Sequence, residues 1–437
     1  MHLRFAGVMA AGNARHRCTA IALAALIALV ALGLAGCTQF VRLANDIRET
    51  GDRLRVAGGE LTSETSSPCA DCPYVVMVLA DDQGRSLHNF RVFERPGRFQ
   101  LAALNDSRAL FAFHDLDRSF TYTPGEPAAW LDLPARLAER SVDDLRLRLR
   151  ATVDRQPPQA LPPLYELRGT ALTQIDVRLA QVVPLADERF SPASADIGMW
   201  EPIGFMKSGR AGIFFLEPHD PARTPVLYVH GMGGSPRDFQ ALIDGLDRQR
   251  FQPWVLAYPS GLDLRASGDG LVGLLAELQL RLGFRRLHIV AHSVGGVLVR
   301  ETLAECSRTR GCAWAGHFVS LSSPFGGVSV VGALVDYAAV VMPVWRNLAP
   351  QSEFLATLFD APLPGTAHHH LVFGYRNAAT LSRKSGDGVI ALDSQLRAAA
   401  QQQATSLRGF DDDHASILTN PQVVRHVNRV LASEQAR

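Results

Sequence analysis

The apolar positions of this chain follow two different rhythms. From Pro73 they come as short β-type runs, "YVVMVLADDQGRSL", "RFQLAAL" and "ALFAFHDL", parted by Asp-Gln-Gly, Pro-Gly and Asn-Asp-Ser turns. Short runs between turn residues predict a small antiparallel β-sandwich-like unit over 67–130. Residues 131–151, "LDLPARLAERSVDDLRLRLRA", read as helical, and "RQPPQALPPLY" at 155–165 reads as a linker. Together they make 131–189 a connecting region. From about residue 190 longer apolar strands alternate with amphipathic helices. The strands are "PVLYVHGMGGS", "FQPWVLAYPSG", "LHIVAHSVGGVLV", "GHFVSLSSPFGG" and "HHHLVFGYRN". "SGDGLVGLLAELQLRLG" is a helix with Ser267 as candidate N-cap. Strands and helices in alternation predict an α/β unit over 190–437, a mostly parallel sheet covered on both faces.

Within that unit, Ser293 stands between two segments meant for burial. Strand 287–291, a tight turn at 292–294 and a helix from about 295 form the context of a nucleophile elbow. Ala291 and Gly295 supply the small neighbours that a close strand–helix approach needs. A serine nucleophile needs a base, and the base needs an orienting acid. Downstream, "KSGDGVIALDSQL" places Asp387 in a turn after the last long strand, and "DDDHASILTNPQV" places His414 just ahead of a C-terminal helix. The turn chemistry around Asp387 favours it over Asp393. Asp411 to Asp413 are too close in sequence to reach around His414. His292 points away from the nucleophile, and His230 reads as structural. Acyl transfer also needs preorganised N–H donors for the developing oxyanion. The amides of Val294, after the nucleophile, and of Met232, in "HGMGGS", are the candidates. A phosphate-binding G-x-x-x-x-G-K-[ST] loop is absent.

Five of these segments, in this order, resemble the α/β-hydrolase superfamily, close to bacterial lipases and deacylase-like lipases. They are "PVLYVHGMGGS", "LHIVAHSVGG", "VSLSSPFGG", "SGDGVIALDSQL" and "DDDHASIL". One departure is Ala291, where the general G-x-S-x-G pattern has glycine; A-x-S-x-G resembles one branch of small bacterial lipases. The resemblance implies a Ser–His–Asp hydrolase acting on an ester through an acyl-enzyme, without a cofactor. Insertions at 328–365 often cap the active site in this superfamily. The apolar "VVGALVDYAAVVMPVWRNLAP" is equally compatible with ordinary core helices.

The start of the chain decides the compartment. Arg4, Arg15 and Arg17 precede "CTAIALAALIALVALGLAG" at 18–36, which ends in Leu-Ala-Gly before Cys37. A basic start, an apolar run and small residues before a cleavage point describe an export signal over 1–36. The "LAGC" ending resembles the lipobox of bacterial lipoproteins. That resemblance implies cleavage before Cys37, its acylation, and a tether over 37–66. It places the chain in the bacterial cell envelope, lipid-anchored to a membrane. Thr38 resembles outer-membrane sorting, to the periplasmic side, where the cell is Gram-negative. The rival is an uncleaved membrane anchor, which also puts the rest outside the cytoplasm.

Export makes the even set Cys69, Cys72, Cys306 and Cys312 disulfide candidates, in the local pairs Cys69–Cys72 and Cys306–Cys312. "CADC" has zinc-like spacing, but no second ligand pair completes a site. Metal is not expected at His368–His370, nor at Asp115, Asp117 and Glu126, where the calcium-loop glycine is missing. The chain has 437 residues, 47% apolar and 20% charged, with net charge +1, so it can bury a core. No nucleic-acid partner is expected, since clustered Lys and Arg are lacking. The expected partners are an ester or lipid substrate and the membrane. Two rival readings remain: an acyltransferase with the same triad, told apart by its products, and an interaction lipoprotein inert toward esters.

Overall fold

A computed structural model describes residues 39–46, 54–64, 69, 72–81, 87–93, 95–119, 121–152, 178–309, 312–337, 340–376 and 385–433. The signal, Cys37 and the whole Pro-rich linker at 155–165 lie outside the described residues.

The first part holds seven strands in two small sheets. One sheet is β4–β1–β7, from Gly97–Leu104, Leu54–Ser63 and Val142–Leu149. The other is β3–β2–β5–β6, from Leu87–Phe93, Tyr74–Leu79, Ala109–His114 and Ala128–Asp132. Their facing sides share one core that includes Leu61, Phe99, Leu145 and Leu147 from the first sheet and Val76, Val78, Leu110 and Ala112 from the second. Two of these strands correct the sequence reading. β7 lies where a helix was expected. Its Leu145, Leu147 and Leu149 are buried and alternate with exposed Arg146 and Arg148, which is a period of two. β1 lies in the expected tether. Its Gly58-Gly59 pair looked like loop sequence, but a Cβ on Gly59 would lie 2.0 Å from the Leu145 carbonyl oxygen. Only glycine lets β7 run alongside β1 there.

The eight-stranded sheet has the order β15–β14–β13–β12–β10–β11–β9–β8. Its strands are β8 (Arg178–Val182), β9 (Gly212–Phe215), β10 (Thr224–Val229), β11 (Phe251–Ala257), β12 (Leu287–His292), β13 (Ala315–Leu321), β14 (His368–Gly374) and β15 (Ala404–Phe410). β11 through β15 are parallel, and β9 is antiparallel to β11. This is the mostly parallel, helix-flanked sheet that the sequence led us to expect. It begins earlier than residue 190, because β8 pairs with β9. Alternate residues serve two cores. Leu227 and Val229 of β10 face one, with the helices Leu264–Leu282 and Val294–Thr309; Val226 and Tyr228 face the other, with the helix Pro421–Ala432. The helix at 264–282 is capped by Asp263, which accepts from the amides of Arg265 and Ala266, and not by Ser267.

Much of 328–365 is packed as core. Val331, Met342, Val344, Trp345, Leu348 and Leu355 are buried in the larger cluster. The small sheets also touch the large unit, where Leu280 packs against the second sheet's outer cluster, which includes Met77, Phe111 and Phe113. No helix among the described residues is long and apolar enough to cross a membrane.

Candidate active site

The chain order reverses at β10, which has β11 on one side and β12 on the other. In open parallel sheets the crevice at the carboxyl ends of such strands is where ligands bind. Here that crevice receives the loop after β10 and the turn after β12. The two strands end level, since Val229 pairs with Ala291.

Ser293 occupies the turn between β12 and the helix Val294–Thr309, with φ 53°. A non-glycine residue in the left-handed region is held there only by its surroundings. Its N–H donates to the Leu321 carbonyl at 2.9 Å. Small residues permit the turn. A Cβ on Gly231 would stand 2.9 Å from Ser293 Cβ, and one on Gly295 would stand 2.4 Å from the carbonyl oxygens of Val229 and His230. Gly295→Ala therefore drives a methyl into backbone that cannot rotate away. We expect a loss of about 1–3 kcal/mol in stability and reduced turnover, because β10 carries the loop of Met232. Thermal unfolding and ester assays of that variant read both effects; an unchanged melting temperature would show that the approach is looser than described.

The structure brings the three expected side chains together. His414 Nε2 lies 3.0 Å from Ser293 Oγ, and His414 Nδ1 lies 2.7 Å from Asp387 Oδ2. The other oxygen of Asp387 accepts from the amides of Val389 at 3.0 Å and Ile390 at 2.7 Å. Burial alone would raise the Asp387 pKa. The hydrogen bond and charge of His414, with the two amides, outweigh it and hold the carboxylate below its ordinary value. Asp393 is exposed and lies on the helix Leu392–Gln395, outside this relay. The loop that carries Met232 runs close to Ser293, since a Cβ on the adjacent Gly231 would stand 2.9 Å from Ser293 Cβ, and Val294 opens the helix directly after Ser293.

Several supporting residues escaped the sequence reading. Tyr258 donates its hydroxyl to the His230 carbonyl at 2.9 Å and stacks on the His230 ring. Ser260 Oγ accepts from the Gly233 amide at 2.9 Å. Ser235 and Asp238 close a capping box at the loop's far end. Gln395 is buried and bonds both the N–H and the carbonyl of Gly374 and the Ile390 carbonyl, pinning the acid-bearing loop. His292 Nε2 donates to the His414 carbonyl at 2.9 Å, so it braces the backbone of His414. Only "YPSG", directly after β11, offered any hint of Tyr258 and Ser260. Nothing local marked Gln395.

Elsewhere, Cys69–Cys72 and Cys306–Cys312 are joined as disulfides. His369 and His370 bond Ser320 and Ser406. The carboxylates of Asp115, Asp117 and Glu126 lie within 4.8 Å of one another and accept from the amides of Leu116, Ser119 and Thr123 in their own loop.

No family model matches the chain, and no curated protein matches it. Among solved structures, a lipase from Bacillus licheniformis is 18% identical, over 50% of this chain and 97% of its own, with a TM-score of 0.41. Lipase B of Aspergillus fumigatus is 15% identical, over 52% of this chain and 57% of its own, with a TM-score of 0.39. The phospholipase PlaB of Legionella pneumophila is 12% identical, over 40% of this chain and 45% of its own, with a TM-score of 0.34. Each likeness extends over about half of this chain or less.

Proposed function

We propose that this chain is an exported, lipid-anchored serine hydrolase that cleaves carboxylic esters of lipid-like substrates through an acyl-enzyme. The observation that carries the reading is the continuous relay Ser293–His414–Asp387, with the nucleophile raised on a left-handed turn at the switch point of the sheet. Ser293 Oγ attacks the acyl carbon while His414 Nε2 takes its proton. The amides of Val294 and Met232 hold the oxyanion. Collapse expels the alcohol, which leaves with the proton held by His414. Water then attacks the acyl-enzyme, again giving its proton to His414, and the acid and free Ser293 are released. Asp387 fixes the imidazole tautomer throughout and stabilises its charge. No cofactor enters these steps. The lipid anchor on Cys37 and the place in the bacterial cell envelope rest on "LAGC" and the apolar run before it. On the same reading the anchor holds the chain on the periplasmic side of the outer membrane in a Gram-negative cell.

A fluorophosphonate probe tests the nucleophile directly. The expected result is one label per chain, on Ser293, and none on Ser293→Ala. Nitrophenyl esters of increasing acyl length then read the substrate class. Turnover that rises with length supports a lipid-like substrate, turnover restricted to short acyl groups replaces it with a small ester, and inertness toward probe and esters sinks the hydrolase reading.

A further inference from the structure

The first described helix, residues 39–46, packs through Phe40 against Trp200 and Trp345. Its inward face is Phe40 and Leu43, three apart and so on one side of a helix. Leu43 is buried in the larger core. The Phe40 ring meets Trp200 at 5.6 Å and Trp345 at 6.2 Å, and those two indoles meet each other at 6.2 Å. Polar contacts fix the helix at both ends. Arg42 pairs with Asp196 at 2.9 Å and with Glu201, and Gln39 reaches Asp196. Asp46 accepts from the amides of Ile203 and Gly204. This is a built attachment and not a loose tail.

Its seat is the rim of the catalytic crevice. Trp200 ends the helix Pro192–Trp200, and the preceding Met199 lies against the oxyanion loop, where a Cβ on Gly233 would stand 3.2 Å from its sulfur. The Gly261 amide, beyond the carboxyl end of β11, donates to the Gly198 carbonyl at 3.1 Å, and Val344, next to Trp345, donates to Gly261. A short relay of packed groups therefore joins Ser293, the loop of Met232, Met199, Trp200 and Phe40.

Covalent geometry then fixes where an acylated Cys37 can be. Two residues of chain span at most about 7 Å, so the lipid departs within that reach of Gln39. Around the same rim stand exposed apolar side chains: Val41 on the helix, Val330 beyond β13, Tyr375 beyond β14 and Val389 beside Asp387. Val182 and Leu407, the other exposed aliphatics outside β1, lie away from it. Val182 closes β8, which runs opposite to the main strands, and Leu407 is mid-strand in the edge strand β15.

We infer that the helix 39–46 is an orienting clasp: it holds the catalytic crevice facing the bilayer that carries the chain's own lipid. The substrate class is then an ester lipid of that same leaflet, met laterally. This rests on the anchored-hydrolase reading above. It goes further in assigning a membrane-facing edge and a role for Phe40 and Arg42.

The test uses the full acylated chain in phosphatidylethanolamine–phosphatidylglycerol vesicles containing a doxyl-labelled phospholipid. A bimane is placed, one at a time, through Val330→Cys, Tyr375→Cys, Val182→Cys and Leu407→Cys. The expected result is strong quenching at positions 330 and 375 and little at 182 and 407. Equal or reversed quenching in a vesicle-bound chain overturns the orientation alone. The double variant Phe40→Ala, Arg42→Ala releases the clasp. It should keep turnover of a soluble butyrate ester while losing roughly tenfold on a fluorogenic phospholipid in its own vesicle. Equal retention of both activities would overturn the clasp. Two controls separate the underlying reading. Vesicle retention of Cys37→Ser would overturn the anchor, and butyrate turnover that survives Ser293→Ala would overturn the hydrolase.

Discussion

Ser293→Ala is expected to lower kcat on a nitrophenyl ester by on the order of 10⁶-fold, and Asp387→Asn by on the order of 10⁴-fold. The two losses differ because the groups fail differently. Without Ser293 Oγ there is no acyl-enzyme, and only the oxyanion donors and binding remain. With asparagine at 387 the amides of Val389 and Ile390 can still be satisfied. The side-chain amide would instead present an N–H toward His414 Nδ1, which now has a carboxylate 2.7 Å away. The imidazole is then pushed into the tautomer whose Nε2 carries a proton and cannot take one from Ser293. Asp393→Asn should leave turnover close to the parent's, since that carboxylate is exposed and outside the relay. Steady-state kinetics of the three variants decide the matter. Equal losses at 387 and 393 would overturn the assignment of the acid.

The second large effect is acid lability. Seven of the described histidines are buried, and five of them are held furthest below the ordinary value: His230, His288, His292, His369 and His370. Burial, chiefly, holds His230 and His370 down at about 4 and His288, His292 and His369 down at about 3. Neighbouring guanidiniums add to this: Arg286 and Arg250 around His288, and Arg300 around His369. Hydrogen bonding agrees, for the His317 amide donates to His288 Nδ1 at 2.9 Å, and that nitrogen must stay unprotonated to accept. A histidine whose folded pKa is depressed takes up its proton more readily when unfolded. Stability is therefore full above the unfolded pKa of about 6.5 and is lost as pH falls from there toward 3–4. At pH 5 each such group forfeits about 2 kcal/mol. Three of them would forfeit about 6 kcal/mol, comparable with the whole stability of many domains. Denaturant unfolding followed by circular dichroism should give nearly constant stability from pH 7 to 8 and a steep fall below 6.5. Equal stability at pH 7.5 and 5 would refute the claim that these rings are held neutral.

The site was legible in the sequence to the extent that its chemistry is local. Ser293 announces itself because an elbow needs a strand, a small-residue turn and a helix within a dozen positions. Asp387 and His414 follow because each sits in turn sequence after a recognisable strand or before a recognisable helix. The braces were not legible. Gln395 acts through two carbonyls and an amide that the fold, not the sequence, brings to it. β7 was misread because Leu, Arg and Asp can all sit on a helix, so composition hid the strict alternation of 145–149. β1 was missed because glycines that admit a neighbouring strand look like glycines of a loop. In both cases the deciding partner lies more than 80 residues away along the chain, as with Val56 and Ser141, 85 apart.

The clasp helix has a consequence for the order of assembly. Arg42 and Asp196 are 154 residues apart, and Trp345 lies further still. During synthesis residues 39–46 are made well before the residues they grip, and they have nothing to hold until Asp196, Trp200 and Trp345 exist. Closing so long a loop is slow compared with local pairing. The N-terminal helix is thus an early-made, late-docked part, and its docking reports that the catalytic unit behind it is complete.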